Sequence, residues 1–418
     1  MSTQQTFVIV GAGLAGATAA EALRTDGFDG RIVLLGEETE QPYDRPPLSK
    51  DYLQGKSERD KIFLQPAGWY AEHDIDLRLG TRVTALDRHT HQVSTDSGEQ
   101  IHYHKLLLAT GSSPRRLTVP GADYDGVLYL RRLADCDALK TAFATTRRVA
   151  IIGAGWIGLE TAAAARAAAA EVTVIERAEL PLLAVLGREM AEMYAALHRE
   201  HGVELLLGAT VAEITGTDER ATGVRLADGS VIDADTVVVG VGITPNTELA
   251  AAAGLTVDNG VLVDEQLATN DPDVFAAGDV ANTYYPLLGA QLRLEHWSAA
   301  LNQGPVAAAN MLGQHASYDQ VPYFFSDQYD MGMEYSGYVG PNGYDEVLFR
   351  GDLPKGEYLA FWMRDGRVLA GMNVNIWDVT DTIAALVRSG NQIDPAALVN
   401  TDVPLTQIGA DAFTGKSS

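Results

Sequence analysis

The sequence predicts an α/β protein with two doubly wound, parallel-sheet units and a smaller α+β domain at its C-terminal end. Three observations carry that prediction. A strand–glycine turn–helix–strand–acid pattern occurs twice, the second copy interrupts the first unit, and the texture changes after Val321. At 418 residues the chain has room for two or three domains. With 46% hydrophobic and 21% charged residues, it has the balance of a folded globular protein.

Each element follows in order. Thr6–Val10 is β-branched and aromatic, and it runs into Gly11, Ala12, Gly13, Leu14, Ala15 and Gly16. An Ala-rich helical segment comes next, then the apolar strand Arg31–Leu35 and Glu37. The second copy begins with the strand 149–152 and turns through Gly153, Ala154, Gly155, Trp156, Ile157 and Gly158. A second Ala-rich helix, the strand 172–175 and Glu176 complete it. The acids fall 21 and 18 residues beyond Gly16 and Gly158, which is the full context such a motif requires. The apolar run 106–108 ends in the small turn Ala109, Thr110, Gly111, and the run 274–276 leads to Gly278 and Asp279. Taken alone, each of these two is also an ordinary strand and turn.

The expected domains are 1–115 with 246–320, an inserted unit 116–245, and a C-terminal α+β domain 321–418. In the last, 346–350, 358–363 and 368–374 read as strands, and Asp365-Gly366 is a hairpin turn between the latter two. The segment 379–389 reads as a helix stopped by Gly390.

The glycine turns are Rossmann-like, and their physics is specific. The first glycine permits the tight turn, the second lets the backbone approach a pyrophosphate, and the third lets helix and strand pack closely. The helix N-terminus turns unpaired N–H groups toward the phosphates, and the acid accepts hydrogen bonds from a ribose. Two such turns imply two dinucleotides. Glu176 on the ribose favours NADH, because a 2′-phosphate would meet like charge, although the adjacent Arg177 could serve that phosphate instead.

In this order, the segments around Thr110 and Asp279 flanking an inserted second turn resemble the two-dinucleotide flavoprotein reductases of glutathione-reductase-like fold. A closer resemblance rests on five places. These are Arg45-Pro46-Pro47-Leu48-Ser49-Lys50, Gly158-Leu159-Glu160, Gly242-Ile243-Thr244-Pro245-Asn246, Leu294-Glu295-His296-Trp297-Ser298 and Phe325-Ser326-Asp327-Gln328-Tyr329. All look like bacterial NADH-dependent ferredoxin reductases of oxygenase systems, the putidaredoxin reductase and biphenyl dioxygenase reductase type. Disulfide reductases of similar fold carry a redox cysteine near the first of these places, whereas the one cysteine here, Cys136, lies far from it.

The resemblance implies non-covalent FAD at the first turn and NADH at the second. Gly11, Gly13, Leu14, Ala15 and Gly16 would hold the FAD pyrophosphate, with Glu37 on its ribose. Arg45, Lys50, Val83, Ala109, Arg131, Asp279 and Trp297 match positions that touch FAD, with Thr110 and Gly111 in the turn beside it. Gly153, Gly155, Ile157, Gly158, Glu160, Glu176, Gly242 and Glu295 match the NADH side. Lys50 and Glu160 would form an ion pair beside the flavin and carry the catalytic electrostatics. Glu160 is expected in the first turn of its helix, where an acid also gains from the helix dipole. One departure from the family is that 179–186 contains no arginine to grip the dinucleotide, and Arg188 is the next base.

The implied reaction passes hydride from NADH to flavin N5, then single electrons to a [2Fe–2S] ferredoxin serving a cytochrome P450 or a ring-hydroxylating oxygenase. The rival readings are the same fold with another acceptor (rubredoxin, a quinone, monodehydroascorbate) and an NADH-sensing interaction protein resembling apoptosis-inducing factor. A formal charge of −25 argues against nucleic acid as a partner. No run approaches the roughly 20 apolar residues that span a bilayer. The start shows no basic region followed by an apolar core, so a cytoplasmic protein is expected. His89 with His91, and His102 with His104, are spaced to share strand faces, but no cysteine or carboxylate cluster accompanies them and no metal is expected.

Overall fold

The computed structural model describes residues 5–340 and 342–408; residues 1–4, Pro341 and 409–418 of the expected domains lie outside them. The chain divides into two compact units. The first comprises the chain up to Pro47, Ser57–Ser113 and Ile243–Gln320. The second comprises Leu48–Lys56, Pro114–Gly242 and the chain from Val321. The segment Leu48–Lys56 therefore groups with the second glycine turn rather than with the first. Among the bonds that hold it there, Cys136 Sγ–H donates to Leu48 O at 3.2 Å, and Tyr52 OH donates to Asp137 at 2.7 Å.

The first unit is built on a five-stranded parallel sheet. Its order is Val274–Ala276, Lys105–Leu108, Thr6–Val10, Arg31–Leu35, Ile75–Arg78. Phe7, Val8, Ile9 and Val10 are all buried, as are Ile32 to Leu35, in a cluster shared with helices Leu14–Thr25 and Trp297–Met311 and with Leu86, Val93 and Ile101 of the strands Val83–Asp87, Gln92–Thr95 and Gln100–His102. Helix Leu14–Thr25 packs on helix Trp297–Met311, and small residues set how close they come. A Cβ on Gly304 would stand 2.2 Å from Thr18 Oγ1 and 2.5 Å from Ala15 O, so only glycine permits that crossing. His89 and His91 lie in the turn between strands Val83–Asp87 and Gln92–Thr95, not on a shared strand face.

The second unit repeats the plan. Its parallel sheet runs Val203–Leu207, Glu171–Glu176, Arg148–Ile152, Thr236–Val239, Val127–Tyr129. The matching central strands, Thr6–Val10 and Arg148–Ile152, each end in a glycine turn, and the helices Leu14–Thr25 and Trp156–Ala167 follow. The same unit carries a five-stranded antiparallel sheet in the order Tyr323–Gln328, Met331–Gly337, Arg367–Val374, Glu357–Arg364, Glu346–Asp352. Three of these strands and the helix Thr380–Ser389 match the expectation, as does Gly390 at its left-handed C-cap. Asp365 and Gly366 both have positive φ, the geometry of a tight two-residue hairpin turn. The first two strands, Tyr323–Gln328 and Met331–Gly337, are additional, and the first of them packs on helix Trp156–Ala167.

Candidate functional site

In the first unit the three glycines of the turn are held for different reasons. Gly11 has φ +116°, and a Cβ there would lie 2.0 Å from Ala109 O. A Cβ on Gly16 would lie 1.9 Å from Gly11 O. Around Gly13, by contrast, an added Cβ meets no heavy atom within 4 Å. Gly13 is also the N-cap of the helix beginning at Leu14, and no side chain caps it. The turn thus leaves open space in front of uncapped helix N–H groups, which is the shape and polarity a pyrophosphate requires.

The expected residues that lie in this unit, those for the first turn together with Glu295 from the NADH side, are held by separate contacts. Ala109, Thr110 and Gly111 sit where the strand Lys105–Leu108 ends, and Asn246 laces this turn closed. Thr110 Oγ1 donates to Asn246 O, and Asn246 Nδ2 donates to Thr110 O, both at 2.8 Å. Asp279 accepts from Ser112 Oγ at 2.7 Å, beside Gly278, whose N–H donates to Gln303. His296, half-buried near Asp279, is pulled down to about 4, mainly by desolvation. Trp297 Nε1 donates to Asp44 at 2.8 Å, and burial raises the Asp44 carboxyl despite that bond. Arg45 pairs with Glu38 at 2.8 Å and lies over the Tyr43 ring. Burial opposes its charge, but Tyr43 and Glu38 outweigh burial and hold it above its ordinary value. Val83 opens the strand Val83–Asp87 and is half-buried, while Glu295 pairs with Arg293 at 2.5 Å.

The second unit shows the same cradle. Gly153 has φ +103°, with a Cβ falling 2.3 Å from Gly240 O, and Gly158 would clash with Gly153 O at 2.0 Å. Gly155 again faces open space and caps its helix without a side chain. Glu176 Oε2 accepts from Ala154 N at 2.7 Å and Oε1 from Ala178 N at 2.8 Å, so the carboxylate is locked to the turn itself. The two acids are not in equivalent register. Gly11 N donates to Leu35 O and Gly153 N to Ile175 O, which aligns Glu176 with Gly36 and leaves Glu37 one residue further on. A Cβ on Gly36 would stand 2.7 Å from Ala12 Cβ, so no acid fits at that position. Glu37 is instead half-exposed, 4.0 Å from Arg82. Ile157 is exposed at the start of its helix, and Gly242, at φ +98°, accepts from Arg115 N. Arg131 N donates to Asp135 in the lead to helix Leu133–Phe143. Arg188 is engaged by Glu179 and, at 3.7 Å, by Glu192.

Lys50 and Glu160 meet within this unit. Lys50 Nζ lies 2.8 Å from Glu160 Oε1, with the two side chains 12% and 3% exposed. Two buried ions are costly to desolvate unless further hydrogen bonds satisfy them. Here Ser326 Oγ donates to Glu160 Oε1 at 2.7 Å, and Ser49 Oγ donates to Oε2. Lys50 also sits 5.4 Å from the centre of the Phe325 ring. Glu160 is the fifth residue of its helix rather than a first-turn acid, so its carboxylate is held by these side chains and not by the helix end. Cys136 is buried, which pushes its thiol up to about 12, far from a reactive thiolate.

Ser49, Ser326, Asp44 and Ser112 contact the expected residues but were not singled out as site residues from sequence. Ser326 had a signal available. Phe324, Ser326 and Gln328 alternate along one strand and are all buried, the period of a strand face. Asp44 adjoins the Arg45–Lys50 run that carries the resemblance, whereas nothing local marks Ser112.

Comparison with known proteins agrees with this geometry. Residues 5–304 match the pyridine nucleotide-disulphide oxidoreductase family, and 323–409 match the reductase C-terminal family. The ferredoxin–NAD(+) reductase component of the anthranilate 1,2-dioxygenase system of Burkholderia cepacia is 42% identical over 96% of this chain and 98% of its own. Rhodocoxin reductase of Rhodococcus erythropolis is 41% identical, covering 96% and 93%. Among solved structures, the covalent putidaredoxin reductase–putidaredoxin complex matches with a TM-score of 0.94 at 36% identity, over 98% of this chain and 99% of that one. Among the described residues no helix is long and apolar enough to cross a membrane. With both glycine turns intact and likeness along nearly its whole length, the chain belongs to the pyridine nucleotide-disulphide oxidoreductase family, alongside the ferredoxin reductases of bacterial oxygenase systems.

Proposed function

We propose that this chain is an FAD-containing, NADH-dependent ferredoxin reductase acting in the cytoplasm, with a [2Fe–2S] ferredoxin as its electron acceptor. Through that ferredoxin it serves a cytochrome P450 or a ring-hydroxylating oxygenase. The observation that carries this reading is full-length likeness to ferredoxin reductases, with two open glycine cradles and no second cysteine for a dithiol relay.

FAD, when bound, supplies the hydride acceptor and lets electrons leave one at a time. The chain supplies the rest. The Gly13 cradle and the helix at Leu14 hold the FAD pyrophosphate, with Glu37 on the ribose and Arg45, Val83, Ala109, Thr110, Gly111, Arg131, Asp279 and Trp297 around the remainder. The Gly155 cradle and Ile157 receive NADH, Glu176 takes the ribose hydroxyls, and Gly242 and Glu295 serve the nicotinamide end. Glu176 is already fixed by two backbone N–H groups, so it presents remaining lone pairs without reorganising. Lys50 places a positive charge at the flavin, and Glu160 holds that charge in position. No side chain has to give or take a proton.

Anaerobic stopped-flow mixing with NADH, then NADPH, and then a [2Fe–2S] ferredoxin tests this. Rapid bleaching by NADH, slower bleaching by NADPH and prompt reoxidation by the ferredoxin are expected. Rapid bleaching with no transfer to a ferredoxin would move the acceptor elsewhere, and bleaching over minutes would favour an NADH sensor.

A further inference from the structure

Glu160 is the end of a buried row of hydrogen bonds that enters from the antiparallel sheet. Ser326 Oγ, which bonds Glu160 at 2.7 Å, lies 3.1 Å from Gln328 Nε2. Gln328 Oε1 lies 2.8 Å from His198 Nε2, and His198 Nδ1 lies 3.1 Å from the Tyr329 hydroxyl. Ser326, Gln328 and His198 are each 1% exposed or less. The donor assignments are forced from the carboxylate outward. A carboxylate only accepts, so Ser326 donates to it, and Gln328 must then donate its amide N–H to Ser326 Oγ. Its carbonyl requires an N–H from His198 Nε2, which leaves Nδ1 to accept from Tyr329. Every donor therefore points toward Glu160.

Two further observations fit this order. His198 is pulled down to about 4, chiefly by burial and against the help of Gln328, so at neutral pH it has the one N–H and one lone pair the row needs. Tyr329 has φ +58°, a conformation bulky residues rarely adopt, and its ring stacks on His201 at 3.7 Å. The other titratable groups near enough to Glu160 to feel its charge are Lys50, Asp327 and Tyr194.

We propose that Ser326, Gln328, His198 and Tyr329 are positioning residues: a one-directional hydrogen-bond chain that fixes the Glu160 carboxylate and, through it, the Lys50 ammonium for flavin reduction. No proton moves along the chain; it orients and polarises. The antiparallel sheet thereby takes part in the chemistry through Glu160 and Lys50. This inference rests on the reading that Lys50 and Glu160 stand at the flavin.

The test is a double-mutant cycle on the holoenzyme, with Ser326→Ala made in the wild-type and the Lys50→Met backgrounds. Ser326→Ala should slow NADH-driven bleaching about tenfold in the wild type and less than about twofold in Lys50→Met, the coupling expected of residues acting as one unit. The midpoint potential of the bound flavin should shift with Ser326→Ala only when Lys50 is present. Ser326→Thr, which keeps the hydroxyl, should restore both. Nitrogen NMR of labelled holoenzyme should show His198 neutral with its proton on Nε2 at pH 7. Equal slowing by Ser326→Ala in both backgrounds would overturn the positioning role, as would the opposite His198 tautomer. If Lys50→Met alone bleaches as fast as wild type, the placement of the pair at the flavin fails first, and the chain's role falls with it.

Discussion

Asp44 and Trp297 show how a single contact holds the segment proposed to surround the FAD. The Trp297 indole N–H reaches a carboxylate that burial has already raised, so the bond offsets part of the desolvation of Asp44. Trp297→Phe keeps the ring and deletes the donor. It should cost about 1–3 kcal/mol of stability, the range for a hydrogen bond to a charged partner, read from urea unfolding. Because Asp44 adjoins Arg45, FAD affinity should fall as well, measured by release of flavin fluorescence. Unchanged stability would mean that water replaces the indole at no cost. The Lys50–Glu160 pair follows the same logic more strongly, with three donors arriving at one buried carboxylate.

At the scale of elements, the glycine turns separate folding from binding. Gly155 and Gly158 lie three residues apart yet face different constraints. A Cβ at 155 enters open space, whereas a Cβ at 158 meets Gly153 O at 2.0 Å. Gly155→Ala should therefore melt within about 1 kcal/mol of the wild type, since exposed changes away from packed features cost little. On the proposed placement of NADH, its dissociation constant should rise by tenfold or more, because the methyl enters the open space assigned to the pyrophosphate. Gly158→Ala should instead lose about 1–3 kcal/mol of stability through overpacking and melt at a lower temperature. Isothermal titration with NADH beside thermal melts separates the two, and a matched loss in both variants would contradict the division of roles. The first two strands of the antiparallel sheet belong at this scale too. Tyr323–Gln328 looks unremarkable alone, yet it delivers Ser326 to a helix that starts at the second turn.

Across the whole molecule, two histidines shielded from water, the buried His198 and the half-buried His296, set the acid limit among the described residues. His198 and His296 are each pulled down to about 4, in both cases mainly by burial. In the unfolded chain they take protons near 6.5, so between about 6.5 and 4 the unfolded state binds more protons than the folded one. Stability should thus fall as pH drops through that window, by up to about 2.7 kcal/mol per pH unit for the two groups together. Asp44 and Asp327, which burial raises, work in the opposite direction at the lower end, because the folded state takes up their protons first. Urea midpoints at pH 7.5, 6 and 5 check this, and a flat profile would show that both imidazoles reach water. The overall charge of −25 acts on partners rather than on fold: an acidic ferredoxin must find a local basic surface against net repulsion.

The chain by itself determined both glycine turns, their flanking strands and the acid after each, because a φ near +100° or a 2 Å approach to a carbonyl leaves only glycine. Local chemistry at such positions is written in residue identity. It also determined the last three strands of the antiparallel sheet and its helix stop, where period and turn residues agree. Only tertiary structure decided that the Glu37 and Glu176 carboxylates stand in different registers, and that Leu48–Lys56 leaves the unit of its neighbours. The same holds for the partners of the key side chains. Ser326 lies 166 residues from Glu160, and Trp297 lies 253 from Asp44. No local pattern encodes such pairs, because they form only when packing of whole sheets and helices brings distant segments together and leaves their buried polar groups to satisfy one another.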